Sequence, residues 1–155
     1  MWWRDHGTAL LPLGGLFSAV RIPGYLVHAV AGCHRTESGD EFLAHSEHVD
    51  EFLEQALGGG PVICDPSHRR YYSLVPASMP ETWSRAQDDW RVIDVDCLGR
   101  GSHLDVPKVD AVDFNPATWS SYWSVPMSSP GALCAALDVA RLIAAARHQV
   151  AEPEA

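Results

Sequence analysis

Two carboxylates in the segment 92–96 (VIDVD) are the first candidates for chemistry in this sequence. We expect residues 91–96 to form a β-strand, and since side chains alternate along a strand, Asp94 and Asp96 then share one face. Such a pair can hold Mg²⁺ or Mn²⁺, and two metal ions can stabilise an in-line phosphoryl transfer. The alternative is a strand with one solvated acidic face and one buried apolar face, which binds no metal.

Arginine provides a second candidate, an anion-binding patch. Arg21 lies in a predicted strand, and Arg69 and Arg70 lie at the start of a predicted return strand. A guanidinium group recognises carboxylate or phosphate through two parallel hydrogen bonds. Alternation places Arg69 and Arg70 on opposite faces, so only one of them can join Arg21. The alternative is that these arginines form ion pairs with the abundant Asp and Glu.

Aromatic side chains provide a third candidate, a pocket or an interface. The chain contains six Trp and four Tyr. Most of them are expected in the core, but Trp119, Tyr122 and Trp123 are available to bind a ligand or a partner. The loop 115–121 can present Trp119 as a lid or as a partner contact.

Histidine is a weaker candidate for a transition-metal site. Glu41, His45 and His48 are spaced so that they share one stripe of a predicted helix, and Cys33 and His34 are near in sequence. We favour a solvated helix edge for this stripe, because H-x-x-H is not a closed structural zinc pattern. The sequence contains no G-x-S-x-G motif, no P-loop and no G-x-G-x-x-G motif.

The elements that must position these residues predict an α+β fold. We expect one domain, 1–155, with an antiparallel or mixed sheet of about five strands covered by helices. Residues 1–7 are expected to form a loose arm, and residues from 150 to fray. The predicted strands are 16–22, 61–64, 70–75, 91–96, 102–106 and 122–125, and the predicted helices are 24–31, 38–57, a turn at 80–83 and a C-terminal helix from Pro130.

The C-terminal helix is expected to cover the sheet. Its positive side chains, Arg141, Arg147 and His148, lie near its negative C-terminal end. Its predicted core face consists of Leu133, Leu137, Ala140, Leu142, Ile143 and Ala144.

Composition limits the class of protein and its partners. The 155 residues are 46% hydrophobic and carry a formal net charge of -9, which predicts an acidic soluble protein and argues against broad nucleic-acid binding. No segment approaches the roughly 20 apolar residues needed to span a bilayer, so no membrane association is expected. The four cysteines are interpreted as reduced thiols in the cytoplasm.

Four stretches, followed by the C-terminal helix, occur in an order that resembles a family. They are FSAVRIP at 17–23, GPVICDPSHRRYYSLVP at 60–76, CLGRGSHLDVP at 97–107 and YWSVP at 122–126. The chain is similar here to small proteins of high-GC Gram-positive bacteria that are labelled bifunctional DNA primase/polymerase-like. Catalytic members of that class carry an apolar-apolar-Asp-apolar-Asp strand and a later His, which this resemblance assigns to Asp94, Asp96 and His103. A third acidic ligand has no clear place; Asp105, Asp110 and Asp113 are the candidates.

Two functions remain open from the sequence. The first is an accessory or interaction domain that resembles primase/polymerase-like proteins and lacks polymerase activity. The second is a small enzyme or binding protein acting on an anionic or aromatic metabolite in a pocket lined by Trp and Tyr. We therefore expect a small-molecule or protein partner. The cofactor is left open, with Mg²⁺ or Mn²⁺ as the divalent ions that the Asp pair suggests.

Overall fold

A computed structural model describes residues 8–32, 46–129 and 131–151. The predicted N-terminal arm and positions 38–45 of the predicted internal helix lie outside these ranges, as do Cys33, His34, Glu41 and His45. In chain order the elements are β1 (Thr8–Pro12), β2 (Ser18–Pro23), α1 (Gly24–Val30), α2 (Ser46–Ala56), β3 (Val62–Asp65), β4 (Arg70–Val75), α3 (Met79–Thr82), α4 (Ser84–Arg91), β5 (Asp96–Leu98), β6 (His103–Pro107), β7 (Tyr122–Val125) and α5 (Ala136–Ala151).

The strands of the described ranges form two antiparallel sheets, which confirms the predicted α+β fold. The larger sheet has five strands in the order β5-β2-β4-β3-β7, and the smaller is a ribbon of β1 and β6. The β3–β4 hairpin matches the prediction, because Asp65 and Pro66 carry the turn chemistry that joins the two strands. The Asp65 carboxylate accepts a hydrogen bond from the backbone N–H of His68 at 3.3 Å and so closes this turn.

The five-stranded sheet packs a different layer on each face. One face carries Val20, Ile22, Cys64, Tyr71 and Tyr122, which share a core with the buried residues of α1, α2 and α5. The other face packs against the ribbon in a second core, formed by Leu13, Ala19, Ile63, Leu74, Leu104, Val106 and Trp123. We call these the helix face and the ribbon face of the sheet.

The C-terminal helix covers the helix face, as predicted, but its start and its core residues differ from the prediction. α5 begins at Ala136 rather than near Pro130, and it buries Val139, Leu142, Ile143 and Ala146. This set repeats at steps of three, one and three residues, which keeps it on one side of the helix. Leu137 lies nearly opposite Val139 and is 51% exposed, and Leu133 precedes the helix. Ala144 is also exposed.

The strand predicted at 91–96 is wrong. Arg91 ends helix α4, residues 92–94 form a turn, and only Asp96 joins a strand, β5. The turn is closed by the carbonyl of Trp90, which accepts hydrogen bonds from the N–H groups of Ile93 and Val95, both at 3.0 Å. The apolar run at 92–95 suggested a strand, but Val92 is 77% exposed, and Trp90 anchors the helix end in the core.

The strand predicted at 16–22 is observed as β2, which begins two residues later than predicted. Leu16 is 91% exposed in a loop, and β2 begins at Ser18. β1, at Thr8–Pro12, was not predicted at all. It pairs with β6 along its whole length, so its partner lies almost a hundred positions away in the chain, and no local pattern indicates such a pairing.

Candidate functional site

The three residues predicted to form a catalytic site lie on three different elements. Asp94 is in the turn after α4 with a backbone φ of 62°, so it does not share a strand face with Asp96. Asp96 begins β5, while His103 begins β6 and is exposed on the outer side of the ribbon. Within residues 8–32, 46–129 and 131–151 no group of three or more His, Cys, Asp or Glu is placed to hold a metal ion.

The Asp96 carboxylate has a partner of its own, the guanidinium of Arg21. The two residues lie opposite each other on neighbouring strands β5 and β2, and their side chains form an ion pair. Both side chains are about one-third exposed, at 35% for Asp96 and 29% for Arg21. The alternative reading of Arg21, an ion pair with an acidic residue, is therefore confirmed.

Arg69 lies in the β3–β4 turn rather than on a strand. It is exposed, its φ is 52°, and its carbonyl accepts a hydrogen bond from the Gly24 N–H at 2.7 Å. Arg70 begins β4 and alternates with Tyr72, which is the residue opposite Arg21. Arg70 rather than Arg69 therefore shares a sheet face with Arg21. The predicted role of Arg69 in ligand binding stays a prediction.

Trp119 lies in the long loop between β6 and β7, next to the turn that holds Arg69. Its φ is 56°, an uncommon conformation for a bulky residue. Its ring meets Phe114 edge-on, with centroids 5.2 Å apart, and its carbonyl accepts a hydrogen bond from the Ser67 hydroxyl at 2.9 Å. The loop and the β3–β4 turn are thus tied together, and each contains a residue with a positive φ.

Tyr122 and Trp123 belong to the two cores. They are 2% and 4% exposed, and they face opposite sides of β7. Trp123 packs on the ribbon face, where its indole N–H donates to the carbonyl of Lys108 at 3.0 Å. Because they face opposite ways, these two residues cannot line one pocket.

The helix face carries a polar row that sequence analysis missed. Cys64 lies opposite Tyr71 on one neighbouring strand and opposite Tyr122 on the other, so three polar side chains cross β4, β3 and β7 side by side. The thiol interacts with both tyrosine hydroxyls, and burial raises the pKa of Cys64 well above its usual range. His28 on α1 extends the row, since its Nε2 lies 3.2 Å from the Tyr71 hydroxyl. Burial likewise raises the pKa of Tyr71 and of Tyr122.

Asp50 on α2 closes this row at the β7 end. The Ser124 hydroxyl donates a hydrogen bond to its carboxyl group. Burial raises the pKa of Asp50 to about 7; the Ser124 hydrogen bond opposes this shift, while the charges of Asp113 and Glu47 add to it. A carboxyl group that changes charge near neutral pH is what proton transfer or pH-dependent binding requires.

A β-bulge explains why Ser124 reaches Asp50. Val125 pairs with Val62 and Trp123 pairs with Ile63, so Ser124 is an extra residue with no opposite partner on β3. A bulge redirects the side chains around it. Here it places Ser124 beside α2, while Val125 still joins the core of the helix face.

The sequence gives little indication of the cluster that contains Asp50 and Ser124. Asp50 lies between Val49 and Leu53, which α2 buries, so the pattern does place a carboxylate at the border of an apolar face. Nothing in the sequence indicates that β7 would supply Ser124 opposite it. His48 is exposed, as predicted for a solvated helix edge, and its Nε2 donates to the carbonyl of Ala31, the residue after α1, at 2.7 Å.

Two cavities lie elsewhere on the described surface. One, of about 340 Å³, is lined by residues 11–17 and Arg100 at the loop between β1 and β2. The other, of about 260 Å³, lies between α1, α2 and α5 and is lined by Val30, Phe52, Ala56, Asp138, Arg141, Leu142 and Ala145. Neither cavity is lined by a site residue that the sequence predicted.

Comparison with protein-family models, curated proteins and solved structures gave no match for this chain. In the described ranges, each helix is too short or too polar to cross a membrane.

Proposed function

We propose that this chain is an accessory or interaction domain that resembles primase/polymerase-like proteins and lacks polymerase activity. The observation that carries the proposal is the ion pair between Arg21 and Asp96. Phosphoryl transfer by two metal ions needs carboxylates that converge on the ions. Here a guanidinium group already holds one of the two candidate carboxylates.

The backbone around Asp94 supports the same proposal. Its N–H donates to the carbonyl of Arg91 at 3.2 Å, and the next N–H, of Val95, bonds back to Trp90. These bonds hold Asp94 in a left-handed turn at the end of α4. To join Asp96 and His103 at one metal ion, this turn and the ribbon would both have to rearrange.

The first test is metal binding and nucleotide incorporation by the intact chain. We expect no primer extension with Mn²⁺ or Mg²⁺, and equal thermal shifts with Mn²⁺ for the wild type, Asp94→Asn and the control Asp89→Asn. Asp89 is a suitable control because it is an exposed acid on the adjoining helix. Extension that Asp94→Asn abolishes and Asp89→Asn retains would contradict the proposal.

A second candidate function is the binding of an anionic aromatic compound beside the β3–β4 turn. The observation in its favour is the hydrogen bond between Ser67 and Trp119, which joins two segments that each hold a residue with positive φ, Arg69 and Trp119. Such backbone strain is concentrated at functional sites. An exposed guanidinium and a half-buried indole suit a planar carboxylate.

Salicylate is a direct probe of this second candidate. We expect a saturable change in the indole N–H signal of Trp119 by NMR, weakened by Arg69→Gln and retained by Arg85→Gln, which removes another exposed arginine. Equal binding by both arginine variants would argue against a site at this turn.

A further inference from the structure

Asp50 is a largely buried acid, and the described part of the chain gives it no positively charged partner. Its hydrogen bond comes from the neutral Ser124 hydroxyl, and no Lys, Arg or His in residues 8–32, 46–129 and 131–151 forms an ion pair with it. The charged groups that influence it, Asp113 and Glu47, are negative as well. Burying an ionised carboxylate without a counter-ion is unfavourable, and the described residues supply no counter-ion at this position.

A buried hydroxyl near Asp50 lacks a hydrogen-bond donor in the described part of the chain. The Tyr122 hydroxyl is fully buried and has no nitrogen or oxygen partner among the described residues; its polar neighbour is the Cys64 thiol. The Ser124 hydroxyl donates its hydrogen bond to Asp50, and its oxygen lone pairs can still accept one. When Asp50 is ionised, the cluster therefore offers acceptors in excess of donors, which is uncommon for buried groups.

We propose that Asp50, Ser124 and Tyr122 form a recognition site for a small organic cation that carries N–H donors, a primary ammonium or a guanidinium group. Such a group supplies both missing features, a positive charge for the carboxylate and donors for the unfilled oxygen acceptors. The described residues place no third ligand for a metal ion there, so the donor set fits an organic cation better. The site lies apart from Asp94 and Asp96 and does not depend on the function proposed above.

The site has an approach from the protein surface. Asp50 is partly accessible, and Glu47 and Asp113, whose negative charges act on it, are both exposed. β7 is the outer strand of the sheet, which leaves this end of the polar row uncovered by a further strand. Negative charge at an entrance raises the local concentration of cations.

The predicted pH dependence of binding follows from the state of Asp50. Its pKa of about 7 means that the group is mostly neutral at pH 6 and mostly ionised at pH 8. A cation binds the ionised form, so its affinity rises with pH across this range, by about tenfold for two pH units centred on the pKa. Binding in turn lowers the pKa of Asp50.

The experiment is an NMR titration of the intact chain with ethylammonium, and with tetramethylammonium as the control ion of equal charge without N–H donors. We expect saturable shifts of the Ser124 and Tyr122 amides with ethylammonium at pH 8, about tenfold weaker binding at pH 6, and no saturation with tetramethylammonium. Asp50→Asn should abolish binding, while Glu51→Gln, which removes an exposed charge from the same helix, should retain it.

Three results would overturn the proposal. The first is non-saturating or equal binding of the two ions, and the second is binding that survives Asp50→Asn. The third is an Asp50 pKa below about 5 in the free protein, measured from its side-chain carbon signal, because a cation from the chain itself would then already occupy the site. Tyr122→Phe separates folding from recognition: it keeps the ring that fills the core and should weaken binding while leaving the thermal midpoint nearly unchanged.

Discussion

At the scale of single residues, the pKa of Asp50 makes the stability of the fold depend on pH. Its pKa is raised from 3.8 to about 7 in the folded protein. Below pH 4 both the folded and the unfolded chain hold this proton, so the ionisation of Asp50 does not lower the free energy of unfolding. Between pH 4 and pH 7 the unfolded chain releases the proton while the folded chain keeps it, and stability is lost as pH rises.

Asp50→Asn therefore has a predicted effect on stability that depends on pH. The amide mimics the neutral acid and still accepts the Ser124 hydrogen bond, so we expect a stability near that of the wild type at pH 4 and a gain on the order of 3 kcal/mol at pH 8. Urea unfolding at the two pH values measures this difference. Glu51→Gln is the matched control, and a gain of the same size in that variant, or none in Asp50→Asn, would be the contrary result.

The residue scale is also where sequence analysis succeeded least. Asp94 and Asp96 formed a strong local pattern, yet the chain turns at residues 92–94, where the N–H groups of Ile93 and Val95 bond to the carbonyl of the buried Trp90. The helical pattern placed Asp50 only at the border of an apolar face. It did not predict the raised pKa, which results from burial and is opposed by the hydrogen bond from Ser124, 74 positions away. Such properties arise from tertiary contacts, which local spacing does not encode.

At the scale of elements, the sequence predicted correctly those strands whose ends are set by neighbouring turn residues or proline. The β3–β4 hairpin is bounded by its turn residues, and β7 ends before Pro126, so both were found at or near their true bounds. The short apolar run at 92–95 was ambiguous, since a strand and a helix end look alike over four residues. β1 had no local signal because it is held by the distant β6.

One close approach between elements gives a second stability prediction. A Cβ at Gly60 would lie 2.6 Å from the sulfur and 2.7 Å from the Cα of Cys134. Cys134 is buried, and its N–H donates to the Leu74 carbonyl at 2.7 Å, which fixes the segment leading into α5. We expect Gly60→Ala to destabilise the protein by about 1–3 kcal/mol through overpacking.

The measurement for Gly60→Ala is the thermal midpoint, compared with Gly15→Ala. Gly15 is exposed, and a Cβ there would meet nothing within 4 Å, so this control adds the same methyl group without a clash. Equal midpoints for the two variants would mean that the contact between Gly60 and Cys134 is loose in solution.

At the scale of the whole molecule, α5 completes the core of the helix face together with α1 and α2. Val139, Leu142, Ile143 and Ala146 all belong to the core that α1, α2 and the sheet share. A chain ending at Ser129 would expose this apolar surface, and we expect it to be insoluble on expression. A chain ending at Ala151 keeps the whole helix and should remain folded by circular dichroism. A soluble, cooperatively unfolding chain ending at Ser129 would show that α5 is dispensable.

The strand order has a consequence for the rate of folding. β3 and β4 are neighbours in sequence, but β2 must find β5 across 75 positions, measured between Arg21 and Asp96. β1 must find β6 across a still longer span, as in the pair Thr8 and Pro107. Closing such long loops delays folding, because their entropy is lost before the contacts form. The hairpin is therefore the natural nucleus, and the ribbon and the β5 edge should form late in refolding.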